Sequence, residues 1–334
     1  MRNDTLTAIR SPSNTNLPSH VVAFEVSKHQ LVVHTLPADQ QRVIPNRPGA
    51  IRRVLTAEIK RNRRARLGRM LAICEATGGY EADVLETATA LGVEIHKAHG
   101  TRVRYFAKYK GLKAKNDPID ARVIALYGLQ SEDLARYQPP SEAVKALRAL
   151  QERRNDLKLM LQAESNRLEH ARNLRVLKSL RTSIRSMSKM LDAIEAEIAR
   201  VLKTEQSVAR KARLMQTVPG VGPVVAVTLI AHMPELGTIP RGRAAALAGL
   251  APYDDDSGQS RGHRHIVQGR SAVRRCLYMA ALAAVRACPH LRDYAARIKA
   301  RGKPFKVAIT AVMRKLIVII NAVIASQQPC QYAN

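Results

Sequence analysis

A near-continuous apolar run, Met70-Leu71-Ala72-Ile73-Cys74, constrains the fold of this 334-residue chain more than any other segment. Such a run is typical of a strand that is buried on both faces of a sheet. It ends in Glu75, and a Gly-rich turn and a helical pattern follow. A carboxylate at the carboxyl end of a buried strand stands where α/β sheets place functional groups, although Glu75 is also suited to capping the next helix.

Two further carboxylates, Asp117 and Asp120, stand three residues apart in the segment Lys115-Asn116-Asp117-Pro118-Ile119-Asp120-Ala121. Pro118 fits the first turn of a helix, and apolar residues then recur with helical spacing. Residues three apart share a helix face, so both carboxylates can point at one spot, where a hard cation such as Mg²⁺ would relieve their repulsion. The alternative is an acidic helix cap that binds nothing.

The N-terminal part predicts a tail followed by an α/β domain. Residues 1–18 have the composition of a disordered tail, and residues 19–138 are the predicted domain. Two apolar segments, Val21–Val26 and Gln30–Leu36, predict a β-hairpin at its start. Glu25 lies within the first of these strands and must face solvent or a site, since an unpaired buried charge is costly.

The charge balance predicts a polyanion-binding protein. Lys and Arg number 55 against 27 Asp and Glu, a formal charge of +28. No run of 18 apolar residues is present, so nucleic acid is the expected partner rather than a membrane. With no Trp and three Phe, base stacking is not expected to be the main binding mode. The four cysteines are far apart and predict neither disulfides nor a zinc site, and therefore a cytoplasmic protein.

Two segments are strongly basic. Residues 42–69 contain ten Lys or Arg against one acid, and residues 96–115 contain seven and no acid. Solvated helix faces are the ordinary explanation, but so one-sided a density favours phosphate contacts. The predicted contacts are Arg61, Arg63, Arg64, Arg102, Arg104, Lys108, Lys110, Lys113 and Lys115.

A helical spacer is predicted after Pro139-Pro140. Apolar residues between Val144 and Leu168 have the spacing of one long helix, and those from Leu177 to Val201 alternate steps of three and four over about three heptads. Residues 139–210 are therefore expected to form an antiparallel hairpin, or a coiled coil with another subunit.

Residues 211–334 are expected to be mainly helical. The turn Pro219-Gly220-Val221-Gly222 could bind a phosphate through backbone N–H groups, or be a plain tight turn. A Gly/Ser-rich loop then contains Ser257 and Ser260, and Ser271 follows. Each serine is either an ordinary turn residue or a nucleophile that needs a supporting group. The basic residues around this loop are further predicted contacts: Arg261, Arg270, Arg274 and Arg275.

These motifs occur in one order, and in that order the chain resembles DEDD transposases of the insertion-sequence 110 class, related to the Piv DNA invertase. The resemblance covers roughly residues 20–325 and is strongest in Cys74–Tyr80 and Asn116–Ala121. It implies a RuvC-like (RNase H-type) α/β N-terminal domain, a helical coiled-coil spacer and a mainly α C-terminal transposase domain.

The resemblance also implies the chemistry. Glu25, Glu75, Asp117 and Asp120 would be the catalytic acids that bind one or two Mg²⁺ ions, with Glu25 where the family pattern has Asp. Ser257 would be the nucleophile. The implied partners are donor and target DNA, a non-coding bridge RNA and further copies of the chain, as a dimer or tetramer. The implied location is the bacterial cytoplasm, in association with the nucleoid.

Two alternatives stay open. The same four acids suit a RuvC-like metal-dependent nuclease that hydrolyses DNA with water and uses no covalent serine. Because Glu25 replaces the expected Asp, the chain is alternatively a decayed element that binds nucleic acid without cutting it.

Overall fold

The computed structural model describes residues 17–112, 117–132, 134–252, 266 and 269–331. Most of the predicted tail lies outside these ranges, as do Lys113, Lys115, Ser257, Ser260 and Arg261 and the side chain of Asp117. The chain divides into two compact units, Met1–Pro139 and Pro140–Asn334. The predicted limits of tail, spacer and C-terminal domain stay predictions.

The first unit is an α/β domain. Its strands are β1 (His20–Val26), β2 (Gln30–Leu36), β3 (Gln40–Pro45), β4 (Met70–Glu75) and β5 (Ile95–Ala98), and its helices are α1 (Pro48–Ala65), α2 (Ala82–Ala90), α3 (Gly100–Tyr109) and α4 (Asp117–Gln130). The strands form one sheet in the order β3-β2-β1-β4-β5. β1 pairs antiparallel with β2, which confirms the predicted hairpin, and parallel with β4, which in turn pairs parallel with β5.

Helices cover both faces of this sheet, as the apolar run at β4 predicted. Alternate residues of β1, such as Val22 and Phe24, pack with α1 and α2. Val21 and Ala23 point the other way and pack with α3 and α4. α4 approaches the sheet closely at Gly128, where a Cβ atom would lie 3.1 Å from Val21 Cγ1. The two layers are therefore built from opposite faces of the same strands.

Helix α1 is held to the sheet by a buried carboxylate. Glu58, the one acid of the first basic segment, is 3% exposed, accepts a hydrogen bond from Arg42 and lies 3.2 Å from His20 Nε2. Burial alone raises the pKa of Glu58, but the bonds to His20 and Arg42 outweigh it and hold the pKa below its ordinary value. Arg42 is thus paired within the protein.

The described residues of the second unit form helices and connecting turns and contain no β-strand. Its helices are α5 (Glu142–His170), α6 (Leu174–Thr204), α7 (Gln206–Gln216), α8 (Pro223–His232), α9 (Arg241–Leu247), α10 (Ser271–Ala287), α11 (Pro289–Ala300) and α12 (Phe305–Ser326). Residues 217–222 form the predicted turn between α7 and α8.

Helices α5 and α6 pack against each other as a hairpin. Three residues, 171–173, connect them, and an ion pair of 2.8 Å from Arg154 Nε to Glu195 Oε1 ties them together. Leu147 of α5 and Ile198 and Val201 of α6 join the hydrophobic core of the other helices. Toward the hairpin tip the heptad stripe is only half-buried, as at Leu177 and Ile184. The two helices are as predicted, and the coiled coil stays a prediction.

Helix α12 is the central helix of this core. Its 18-residue window has a mean hydropathy of 2.1, enough to cross a membrane by length and composition alone. Residues such as Val312, Leu316 and Ile320 are buried in the core cluster, however, and 56% of the window is buried within the protein. A core helix of a soluble protein passes the same test, so α12 is weak evidence for a membrane span.

Two described glycines, Gly249 and Gly269, are in contact on either side of the stretch of chain that contains Ser257 and Ser260. Gly269 has a φ of +87°, and a Cβ atom there would lie 2.1 Å from the Cα atom of Gly249. Arg270 N donates to Leu247 O (3.0 Å). Gly249 and Gly269 are therefore in direct contact, and the contact requires glycine at position 269.

We predict that Gly269→Ala lowers the free energy of unfolding by about 3 kcal/mol, because the substitution adds both backbone strain and a clash with Gly249. Gly302→Ala is the matched control, since Gly302 also has a positive φ (+73°) but a Cβ atom there would have nothing within 4 Å. It should cost about 1 kcal/mol. Thermal unfolding of both variants measures the difference, and equal losses would contradict the role of the contact.

Candidate active site

Glu25 and Glu75 lie on neighbouring parallel strands at the same level. The register of β1 and β4 pairs Phe24 with Cys74, and each glutamate is the next residue along its strand. Their side chains alternate with these residues and so point to the face that α3 and α4 cover. Both glutamates are partly exposed. Two carboxylates thus stand together at the carboxyl ends of the two central parallel strands.

Helix α4 adds a third carboxylate to this place. The helix begins at Asp117, and Asp120 is a partly exposed residue of its first turn. The pKa of Glu75 is raised, mainly by partial burial and further by the negative charge of Asp120. The positive charge of Arg104 and, more weakly, His99 oppose the rise. This influence of Asp120 on the Glu75 pKa means that the start of α4 faces the end of β4.

Helix α3 begins directly against Glu75. A Cβ atom at Gly100 would lie 2.2 Å from Glu75 Oε1, so any larger residue would displace the carboxylate. His99 caps the helix by accepting a hydrogen bond from Thr101 N (3.3 Å). The first helix after Glu75 in the chain is α2, and the residue at its N-terminal cap position is Glu81. The alternative role of Glu75 as a cap of this helix is therefore wrong.

Glu81 organises the turn after Glu75, a role that the sequence analysis missed. It is buried, pairs with Lys97 of β5, and accepts hydrogen bonds from the backbone N–H groups of Thr77 (3.1 Å) and Gly79 (2.9 Å). Burial raises the pKa of Glu81, but the bonds to Lys97 and to the turn outweigh it and bring the pKa to about 2. An acid immediately before a helix, after two glycines, was the signal available in the sequence.

The donor chemistry of this place suits a hard divalent cation. Within the described ranges, no three His, Cys, Asp or Glu side chains are close enough together to hold a metal ion. Glu25, Glu75 and Asp120 nevertheless offer carboxylate oxygens alone, the ligands that Mg²⁺ prefers. The pKa of Glu75 is raised, and a cation bound beside Glu75 would lower it again by favouring the ionised carboxylate. These residues therefore fit Mg²⁺ chemically.

The predicted phosphate contacts of the first unit lie on α1 and α3. On α1, Arg63 and Arg64 are exposed near the C-terminus, and Arg61 Nη1 donates to Gln40 Oε1 (3.0 Å). On α3 and directly after it, four cationic residues are exposed: Arg102, Arg104, Lys108 and Lys110. Those on α3 therefore belong to the helix whose first residue, Gly100, lies against the Glu75 carboxylate.

The predicted contacts of the second unit have several different environments. A Cβ atom at Gly220 would lie 2.3 Å from Ala280 O, so this glycine packs against α10, whereas Gly222 has nothing within 4 Å. Arg270 donates to His232 O and forms an ion pair of 2.6 Å with Glu235. Arg274 Nη1 lies 3.4 Å from Gly249 O. Gly220 and Arg270 therefore have roles within the protein.

Two more candidates of this unit, Arg275 and Ser271, are exposed at the start of α10.

Comparisons with known proteins agree with this organisation. Residues 212–296 match the transposase family IS116/IS110/IS902, and residues 22–175 match the DEDD transposase family of the IS110 type. The pilin gene-inverting protein of Moraxella bovis is 28% identical over 261 residues, which are 77% of this chain and 80% of that protein. The insertion element IS116 44.8 kDa protein of Streptomyces clavuligerus is 24% identical and covers 75% of this chain and 83% of its own length.

Among solved structures, RuvC of Thermus thermophilus in complex with a Holliday junction substrate is similar over 32% of this chain and 90% of that chain, with 15% identity and a TM-score of 0.23.

The two family matches together take in most of the chain, in both units, and the match over residues 22–175 contains all four candidate acids. The chain therefore belongs to the IS110 family of DEDD transposases, enzymes that cleave DNA and transfer its strands.

Proposed function

We propose that the enzyme is a site-specific recombinase in which Glu25, Glu75, Asp117 and Asp120 position the scissile DNA phosphate and Ser257 attacks it. One observation carries the proposal: Glu25 and Glu75 are neighbours on parallel strands, and the start of α4 brings the charge of Asp120 to Glu75. Glu25, Glu75 and Asp120 belong to three separate elements near one end of the sheet, and a metal ion bound among their carboxylates would offset the repulsion between their charges.

The strand order supports an RNase H-type architecture for the first unit. The order β3-β2-β1-β4-β5, with β2 antiparallel to its neighbours, is the order of that fold. The acids stand at the carboxyl ends of parallel strands, where α/β proteins place their sites.

The carboxylates would hold one or two Mg²⁺ ions, which when bound would polarise the scissile phosphate and stabilise the charge that develops on it. Gly100 leaves room for the Glu75 carboxylate, and Glu81 fixes the turn that follows it. The protein's own contribution is thus to keep the acids in place before DNA arrives.

Ser257 is the proposed nucleophile. Its Oγ would form a bond to phosphorus while the bond from phosphorus to one sugar oxygen breaks, and the serine proton would pass to that leaving oxygen. The phosphoserine–DNA bond retains the diester energy, so a strand hydroxyl can later displace the serine and restore a phosphodiester.

Assembly and guidance are further parts of the proposal. The acids belong to the first unit and Ser257 to the second, which favours a site assembled from more than one copy of the chain. The half-buried heptad stripe of α6 suits a coiled coil in a dimer or tetramer. The charge of +28 suits binding of donor DNA, target DNA and a non-coding bridge RNA. The proposed location is the cytoplasm, close to the nucleoid.

Ser257→Ala is expected to abolish a covalent protein–DNA adduct on a nicked suicide substrate, as measured by denaturing gel electrophoresis with labelled DNA. Ser186→Ala, at an exposed position of α6, is the control and should leave the adduct unchanged. An adduct that persists in Ser257→Ala would move the nucleophile elsewhere. DNA that is cut in Mg²⁺ without any adduct in the unmodified protein would favour a water-using nuclease.

Glu75→Gln is expected to raise the melting temperature at pH 7 when no divalent metal is present. Because the pKa of Glu75 is raised in the folded state, its charge destabilises the fold above that pKa, and the substitution removes the charge. Well below the ordinary pKa of 4.5, the Glu75 carboxyl is protonated in both the folded and the unfolded protein. The difference in melting temperature between the two proteins should therefore vanish as the pH falls.

With added Mg²⁺ the unmodified protein should have the higher melting temperature, since it retains a metal ligand that Glu75→Gln lacks. Thermal scans at several pH values, with and without Mg²⁺, measure both effects. Glu169→Gln, at an exposed position of α5, should behave as the unmodified protein. The metal assignment fails if Mg²⁺ stabilises Glu75→Gln as strongly as it stabilises the unmodified protein.

A further inference from the structure

Helix α3 has one side packed in the first unit and one side that is exposed. Its packed side is formed by Val103, Phe106 and Ala107, which belong to the hydrophobic cluster between the sheet and helices α3 and α4. Tyr105 and Tyr109 point away from that cluster and are 65% and 82% exposed. They are four positions apart in the sequence, so the two rings lie on one side of the helix, about one turn apart.

Cationic groups surround the two rings. Arg102 lies three residues before Tyr105 and so shares its side of the helix, and Lys108 is also exposed. The Lys110 ammonium lies 5.5 Å from the centroid of the Tyr109 ring. The helix contains no acidic residue. Such a surface is complementary to a polyanion that also has flat, apolar groups.

Phosphate contact alone does not account for the tyrosines. In a duplex the bases are stacked on each other, and only phosphates and base edges are accessible to a helix surface. Two exposed aromatic rings among cations are the usual arrangement for binding a strand whose bases are unpaired, because each base can stack on a ring while the phosphates contact the cations.

The surface is also close to the candidate acids. α3 begins at Gly100, which contacts the Glu75 carboxylate. With a rise of about 1.5 Å per residue, Tyr105 and Tyr109 lie about 7 and 13 Å further along the helix axis. A strand on this surface is therefore within a few nucleotides of the acids.

We propose that the side of α3 formed by Arg102, Tyr105 and Tyr109 binds an unpaired nucleic-acid strand by stacking its bases on the two tyrosine rings. The inference rests on the proposed function and deepens it, since it states that the strand leading to the acids is unwound. It also refines the expectation from composition: charge provides most of the affinity, and the two tyrosines distinguish unpaired strands from duplex.

The test measures binding of the full chain by fluorescence anisotropy, in EDTA so that nothing is cut. The probes are a single-stranded DNA, an RNA hairpin with a large loop, and a blunt duplex DNA. The variants are Tyr105→Ala/Tyr109→Ala, the ring-retaining control Tyr105→Phe/Tyr109→Phe, and the charge variant Arg102→Gln/Lys108→Gln, each titrated at several salt concentrations.

The double alanine variant should lose at least about tenfold in affinity for an unpaired probe and less than about twofold for duplex. The phenylalanine variant should retain the affinity of the unmodified protein. The salt dependence should be unchanged in the tyrosine variants and weaker in the charge variant, because only the latter loses phosphate contacts. Loss on single-stranded DNA alone would identify a DNA strand as the occupant, and loss on the RNA loop alone would identify an RNA.

An equal loss on duplex and unpaired probes would overturn the proposal, as would unchanged binding. Unchanged binding with an altered oligomeric state would instead make this side of α3 a protein contact. Either result leaves the proposed function intact provided that the unmodified protein binds nucleic acid. If the unmodified protein binds none of the three probes, the proposed function itself fails.

A second measurement does not depend on how the variants fold. Photocrosslinking of the unmodified protein to an unpaired probe with 5-iodouracil bases should give adducts at Tyr105 or Tyr109, identified by peptide mass spectrometry. Adducts confined to other tyrosines would contradict the stacking.

Discussion

The placement of Glu25 and Glu75 on neighbouring parallel strands, with Asp120 in the first turn of α4, is the constraint on which the proposed site depends. Strand register places Glu25 beside Glu75, and α4 brings Asp120 near enough to raise the pKa of Glu75. Each residue alone would be ordinary on a surface. Partial burial and the charge of Asp120 both disfavour the ionised form of Glu75, and the proposed cation would favour it.

The surrounding structure limits how these charges can relax. Glu75 cannot turn toward α3 without meeting Gly100, and the turn after it is tied to Glu81, whose partner Lys97 lies on β5. On the opposite face, Glu58 joins α1 to the sheet. Buried acids with cationic partners thus stabilise the scaffold and have lowered pKa values, whereas Glu75 at the strand end has a raised one.

Local patterns in the sequence predicted much of the fold. The hairpin, the buried β4, the start of α4 at Asp117 and the two long helices each follow from periodicity or from proline, and the structure confirms them. The polar strand β3 and the Glu81–Lys97 pair escaped prediction, because they depend on neighbours distant in sequence. For the same reason the packing of Gly220 against α10 could not be read from the sequence, and its predicted phosphate contact stays a prediction.

Iron-mediated cleavage of the protein backbone would show whether Glu25, Glu75, Asp117 and Asp120 bind one metal site together. Fe²⁺ bound in place of Mg²⁺ generates hydroxyl radicals with peroxide and ascorbate, and these cut the chain near the metal. We expect fragments that end near residues 25, 75 and 117–120, and we expect excess Mg²⁺ to suppress them. Cuts elsewhere, or none above background, would show that these carboxylates do not bind a metal together.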